Sequence, residues 1–193
     1  MHHTLSRRAM LLAATALAAT GLASCSPRGS DLPELPALQT RAYRLGPNDQ
    51  LRVITFGEDG LSEVFRVSDA GDIAVPLIGN VRADGLTTDE LSRRITDLLK
   101  SKNLLRAPSV SVEITEYRPL YVIGEVVRPG LVTYQPGMTT LAAIAIAGGY
   151  TYRAVEDYAS ITRTIAGVAI KGKVLPVTPV APGDVITVFE RYF

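Results

Sequence analysis

Three regimes of apolar and polar residues succeed one another along this 193-residue chain. From Ala9 to Ala23 run fifteen residues without a charge, preceded by Arg7-Arg8. That run is rich in alanine and short for a bilayer, which takes about 20 strongly apolar residues. From Ser26 to Ala42 no apolar period survives. Pro27, Pro33 and Pro36, with Ser26, Gly29 and Ser30 among them, predict an extended tether. From Tyr43 onward, short alternating runs and two helical stripes succeed each other between turn signals.

In that third regime Gly46-Pro47-Asn48-Asp49 predicts a tight turn, since Pro47 fixes φ and Asn48 tolerates the left-handed region. A strand over Leu51–Phe56 and a loop over Gly57–Gly60 follow. Val64–Val67 and Ile73–Pro76 flank Asp69-Ala70-Gly71-Asp72, a hairpin signal. The spacing predicts a helix over Thr87–Lys102. Thr87 and Glu90 form a capping box, Leu86 and Leu91 a staple, and Leu91, Ile95, Leu98 and Leu99 one stripe. Its cations Arg93, Arg94, Lys100 and Lys102 read as a solvated face that complements the helix dipole in the last turn. Val110, Val112 and Ile114 alternate with polar residues as a half-buried strand.

Arg118-Pro119 marks a boundary. Beyond it, strands are expected at Leu120–Ile123, Leu131–Tyr134, Ile161–Arg163, Lys173–Val177 and Val185–Val188. A helix over Thr139–Ala147 is apolar nearly all round, so burial against a sheet is expected. One local solution occurs twice. Pro47-Asn48-Asp49 and Pro182-Gly183-Asp184 each place a φ-tolerant residue between proline and aspartate, ahead of an alternating strand. Strands interleaved with single helices predict the α+β class, with mainly antiparallel or mixed sheets.

Composition narrows the chemistry. A basic start, a short apolar run and small residues form a secretory signal over residues 1–24. Removing it leaves 169 residues, with 18 basic against 19 acidic, and takes away both histidines. Ser-His-Asp and Cys-His catalysis and imidazole or thiolate zinc sites are then excluded. No cofactor is expected. A near-neutral chain gives no reason to expect nucleic acid as partner. The remaining carboxylate pairs are Glu113 with Glu116 and Asp89 with Glu90. Glu90 is taken as a cap, and simple alternation points Glu113 and Glu116 to opposite strand faces, so an enzyme is not expected. Of the tyrosines Tyr117, Tyr121, Tyr134, Tyr150, Tyr152, Tyr158 and Tyr192, most read as packing. Tyr150 and Tyr152, after Gly148-Gly149 in a loop, are the candidates for glycan or interface contact.

The sole cysteine sits at a telling place. Leu22-Ala23-Ser24-Cys25 resembles the bacterial lipobox, which implies cleavage before Cys25 and a diacylglycerol on its thiol. Ser6-Arg7-Arg8 also resembles a twin-arginine signal, and the export route is left open. Ser26 is not the aspartate that resembles an inner-membrane retention signal, which points to the outer membrane.

Several motifs together resemble the bacterial polysaccharide biosynthesis/export family, the Wza-type outer-membrane exporters. They are Tyr43-Arg44-Leu45-Gly46-Pro47-Asn48-Asp49, the stretch Asp69-Ala70-Gly71-Asp72-Ile73-Ala74-Val75-Pro76-Leu77-Ile78-Gly79, Gly85-Leu86-Thr87 and Pro108-Ser109-Val110. From Tyr121-Val122-Ile123-Gly124-Glu125-Val126 through Pro129-Gly130 and Ala147-Gly148-Gly149 to Pro182-Gly183-Asp184 and Glu190-Arg191-Tyr192, the chain is similar to the soluble-ligand-binding β-grasp (SLBB) domain. The resemblance implies a signal peptide over 1–24, a lipidated tether over 25–42, an export domain over 43–118 and one SLBB domain over 119–193. It implies a lipid-anchored protein on the periplasmic face of the outer membrane, forming a homo-oligomeric ring that conducts capsular polysaccharide or exopolysaccharide. An inner-membrane co-polymerase is the implied partner. Larger members carry a C-terminal membrane helix. This sequence stops at Phe193 with no such segment, so a separate outer-membrane β-barrel is expected to complete the path. The alternative is a periplasmic glycan-binding or adaptor lipoprotein without a conduit.

Overall fold

The computed structural model describes residues 28–38, 42–165 and 167–191, so the signal segment and Cys25 lie outside the described residues. Among the described residues, ten strands and two α-helices are arranged around two hydrophobic clusters. The first cluster lies before Tyr117. The second gathers residues from Leu120 onward, with Leu35 packed against it.

The first unit contains β1 (Gln50–Thr55), β2 (Glu63–Arg66), β3 (Asp72–Val75), β4 (Gly79–Arg82), α1 (Thr88–Ser101) and β5 (Val110–Glu116). Strand β1 runs antiparallel between β2 and β5. The buried side chains Leu51 and Val53 point from β1 into the core, where α1 presents Leu91, Ile95 and Leu99. The α1 start is the expected capping box. Glu90 N–H donates to Thr87 Oγ1 at 3.2 Å, and Thr87 N–H donates to the Glu90 carboxylate at 2.9 Å. That backbone donor, helped by Arg44, holds the Glu90 carboxyl below its ordinary pKa.

The hairpin expected across Asp69–Asp72 does not form as a ladder. The turn exists, with Gly71 N–H donating to Ser68 O at 2.8 Å. However, β2 pairs with β1, while β3 pairs with β4, a strand the sequence did not suggest. Gly71 O accepts from both Ala83 and Asp84 N–H at 2.9 Å, which ties the turn to the far end of β4. Arg82 bonds Ala70 O and Asp84 across the same turn. A turn signal fixes where the chain reverses, not which strand completes the ladder.

The second unit contains β6 (Leu120–Gly124), β7 (Gly130–Val132), α2 (Thr140–Ile146), β8 (Ala159–Ile165), β9 (Val168–Val174) and β10 (Val185–Val188). The sheet order is β7-β6-β10-β8-β9, with β10 parallel to β6 and the other pairs antiparallel. The expected mixed α+β architecture is what the chain adopts. β9 is displaced from the expected Lys173–Val177, which becomes the strand end and a turn that packs beside α2. Helix α2 buries Thr140, Ala143 and Ile144, but Leu141 and Ile146 remain 46% and 47% exposed, so its burial is one-sided.

The tether expectation also changes. Residues Arg28–Leu35 lie on the second unit instead of standing free. Lys173 N–H donates to Pro33 O at 2.7 Å and Leu35 N–H to Lys173 O at 3.0 Å, adding a short parallel bridge at the β9 edge. A Cβ on Gly172 would come within 2.5 Å of Leu35 Cα, so the glycine is what admits the strap. An unpaired sheet edge and a half-buried Leu35 explain why a segment without periodicity still docks.

Ile95 is fully buried, so Ile95→Ala should destabilise by about 2–5 kcal/mol. Thr87→Ala, which removes the cap, should cost about 1 kcal/mol. Urea unfolding followed by circular dichroism checks both.

Candidate functional site

Two aspartates sit at the junction of the units, each made by the turn that occurs twice in the sequence. In the first turn Asn48 has φ 72°, and in the second Gly183 has φ 84°. Asp49 N–H donates to Gly46 O at 3.2 Å, and Asp184 N–H to Ala181 O at 3.1 Å. Each carboxylate reaches back to the first residue of its turn. Gly46 N–H donates to Asp49 Oδ2 at 2.8 Å, and Ala181 N–H to Asp184 Oδ2 at 2.7 Å. Positive φ at the third position is what a type II turn requires. The repeated spacing is therefore the same structure twice.

Both carboxylates are buried, at 0% and 1% exposure, and each takes an arginine from a distant part of the chain. Asp184 is gripped bidentately by Arg163, Nε to Oδ1 at 2.8 Å and Nη2 to Oδ2 at 2.6 Å. Asp49 accepts the Arg118 backbone N–H at 2.8 Å and the Tyr43 hydroxyl at 2.8–2.9 Å, with the Arg118 guanidinium 3.9 Å away. Burying a carboxylate is tolerable only when donors replace its water.

Arg118 joins the two turns. Its Nε donates to Pro182 O at 3.2 Å, while its guanidinium lies 5.7 Å from the Tyr43 ring centroid. Gly183 N–H donates to Pro119 O at 3.1 Å. Tyr43, Tyr117 and Tyr134 continue the seam edge to face, at 5.1 and 5.3 Å between centroids. Tyr43 belongs to the first core and Tyr134 to the second. Burial pushes the Tyr43 hydroxyl well above its ordinary pKa, and the Asp49 carboxylate adds to that. This junction fixes the relative orientation of the units. Both of its carboxylates are buried and taken up by donors.

The two candidate tyrosines separate. Tyr150 is half-buried against the second core and bridged to Val126, whereas Tyr152 is 83% exposed. Tyr117 and Tyr134 belong to the seam. Tyr158 packs on Phe189 at 5.9 Å, Tyr121 is 45% exposed on the outer sheet face, and Tyr192 lies outside the described residues.

The carboxylate pairs need one correction. A bulge shifts the β1–β5 register, so Glu113 opposes Arg52 and Glu116 opposes Gln50. Gln50 and Arg52 share a strand face, and the bulge therefore brings Glu113 and Glu116 to one side instead of opposite ones. Thr115, the extra residue, donates to Gln50 O at 3.2 Å. Both glutamates stand on an open, exposed sheet face, and Glu116 lies 3.8 Å from Arg66. Asp89 and Glu90 open α1, with Glu90 occupied by its cap and Arg44.

Comparison with known proteins identifies two domains. Residues 37–115 match the model of the polysaccharide biosynthesis/export protein family, and residues 119–178 match the SLBB domain. The chain thus carries a polysaccharide biosynthesis/export domain followed by an SLBB domain. It is similar to the exopolysaccharide production protein ExoF of Rhizobium meliloti, at 36% identity over 118 residues, 55% of this chain and 28% of that protein. It is also similar to the EPS I polysaccharide export outer membrane protein EpsA of Ralstonia nicotianae, at 34% identity over 126 residues, 62% of this chain and 31% of that protein. The chain thus spans less than a third of the length of these relatives in the matched regions. These families and relatives are production and export proteins. Asp49 lies in the first matched region, and Arg118 lies between the two.

The repeated turn was legible in the sequence, but its arginines were not. Arg118 lies 69 residues from Asp49, and Arg163 lies 21 from Asp184. Nothing local in the sequence distinguishes them from surface cations.

Arg163→Ala should cost about 3–5 kcal/mol, because it leaves Asp184 buried without its charge partner. Arg118→Ala should cost about 1–2 kcal/mol, since Asp49 keeps three other donors, and should loosen the junction. Urea midpoints and limited proteolysis between the units check the pair. Tyr43 makes a separate, pH-dependent contribution. Its raised folded pKa means stability is complete below the ordinary value of 10.0 and declines as pH rises through it towards the folded value. Tyr43→Phe should lower stability at neutral pH yet flatten the decline between about pH 9 and pH 11, as read from urea midpoints.

Proposed function

We propose that the chain is a lipid-anchored component of a polysaccharide export assembly, held by Cys25 on the periplasmic face of the outer membrane. Copies associate head to tail into a closed ring that passes capsular polysaccharide or exopolysaccharide, with an inner-membrane co-polymerase as the partner beneath. The observation that carries this reading is the order of the two domains, export domain then SLBB domain, in one chain. The names of the two relatives, an exopolysaccharide production protein and a polysaccharide export outer membrane protein, agree with it.

Surface chemistry supports the oligomer. A head-to-tail ring needs two different complementary patches on each subunit. The second unit carries exposed Tyr121, Ile123 and Leu131 on its outer sheet face, and exposed Leu141, Leu175 and Val177 on the helix side. Leu141 N–H donates to Pro176 O at 2.9 Å, so those last three belong to one neighbourhood. The sheet separates the two patches. Among the described residues no helix is long and apolar enough to cross a membrane.

In a producing strain, deletion of the gene should abolish extracellular polysaccharide, and restoring the full chain should recover it. Native mass measurement of the detergent-extracted protein should give one closed oligomer of defined subunit number. Leu131→Glu with Val177→Glu should reduce it to monomer. A strict monomer in the unsubstituted protein, or normal secretion after deletion, would overturn the proposal.

A further inference from the structure

The strap over Arg28–Leu35 ends at a particular place on the second unit. Tyr158 Oη donates to Arg28 O at 3.1 Å, and Gly29 lies directly against the Phe189 ring. Lys173 Nζ donates to Ser30 O at 3.3 Å. Arg28 forms one wall of a groove of about 300 Å³ with Gly124, Glu125, Phe189 and Glu190, where β6 and β10 finish. Glu125 accepts from Thr151 Oγ1 at 2.7 Å, and Glu190 pairs with Arg153. The residues on both sides of Tyr152 are therefore tied to the groove that Arg28 closes.

Tyr152 itself is 83% exposed there. Val127, 58% exposed, is joined to the same loop by its N–H to Gly149 O at 3.1 Å. Exposed Ile146 ends α2, just before Gly148-Gly149. One end of the unit thus presents an aromatic and two aliphatic side chains, with exposed Arg128 and Arg153 beside them.

We propose that this rim, Val127, Ile146 and Tyr152, rests in the headgroup layer of the membrane that holds the anchor. The inference rests on the reading of Cys25 as lipidated. Three residue steps separate Cys25 from Arg28, and an extended chain spans at most about 3.6 Å per residue, or about 11 Å. The strap is bonded to the second unit at Arg28, so the side of the groove that Arg28 lines stays close to the lipidated residue. Tyrosine places an apolar ring and a polar hydroxyl across such an interface. Arginine meets lipid phosphates from the same level. The strap is then a short mooring line that decides which end of the protein faces the bilayer, where a free 18-residue tether would leave the orientation open.

The chain has no tryptophan, so a single introduced indole reports its own surroundings. Tyr152→Trp and, in the other unit, Phe56→Trp (Phe56 is 85% exposed) are each made in the full lipoprotein. Both are reconstituted into vesicles of phosphatidylethanolamine and phosphatidylglycerol containing phosphatidylcholine brominated near the headgroup. The expected result is quenching several-fold stronger at position 152 than at position 56. Leu35→Asp, which releases the strap while keeping the anchor, should abolish the difference. Equal quenching at the two positions, in protein whose mass shows diacylglycerol on Cys25, overturns the proposal and leaves the anchor reading standing. Protection of position 152 that depends on protein concentration and not on lipid also overturns it, by assigning the rim to a second copy. An unmodified Cys25 in the mass spectrum removes the anchor and the docked rim together.

Discussion

A buried carboxylate must be given back the donors that water supplied, and that requirement organises this molecule. Asp49 and Asp184 are each closed into a turn by a backbone N–H three residues earlier. The turns alone leave both charges short of partners. Arg163 completes one from within its own sheet, and Arg118 completes the other from the link between units. Because Arg118 also bonds Pro182 O, satisfying the first aspartate places the second turn. Charge compensation and domain orientation are one event.

The cores are conventional by comparison. Each unit buries one helix against one sheet, and each helix begins at a threonine whose hydroxyl accepts a backbone N–H. What differs is the treatment of edges and faces. The β9 edge is covered by the chain's own N-terminal strap, while the outer face of β6 and β7 keeps exposed Tyr121, Ile123 and Leu131. A sheet whose solvent face remains apolar is suited to a neighbour. The protein thus closes one hazard internally and leaves another apolar surface open.

The strap depends on two close backbone approaches. Glycine at positions 29 and 172 lets backbone lie against a ring and against a strand, where a side chain would intrude. This contact turns a proline-rich segment into part of the second unit. A lipid a few residues upstream would then be held to one end of the protein instead of to a freely turning body.

Features that depend on neighbours within a few residues are legible before the chain folds. These are the capping box at Thr87 and Glu90, the Leu91–Ile95–Leu99 stripe, the alternation through β5, and the twin turns at Asp49 and Asp184. Each is set by side-chain spacing, φ preference or a short hydrogen bond, all of which are local. Tertiary structure decided which elements meet. It paired β3 with β4 and not with β2, which is taken up by β1, and Gly71 O accepts from Ala83 and Asp84 N–H beside the β3–β4 ladder. It brought Arg118 and Arg163 to their aspartates across long separations, because any cation of sufficient reach is equivalent in a sequence. It turned Glu116 to the side of Glu113 through a bulge that alternation does not encode, and it seated Arg28–Leu35 on an edge that exists only once β9 is paired. Spacing fixes what a residue can do, and the contacts that form only on folding decide where it does it.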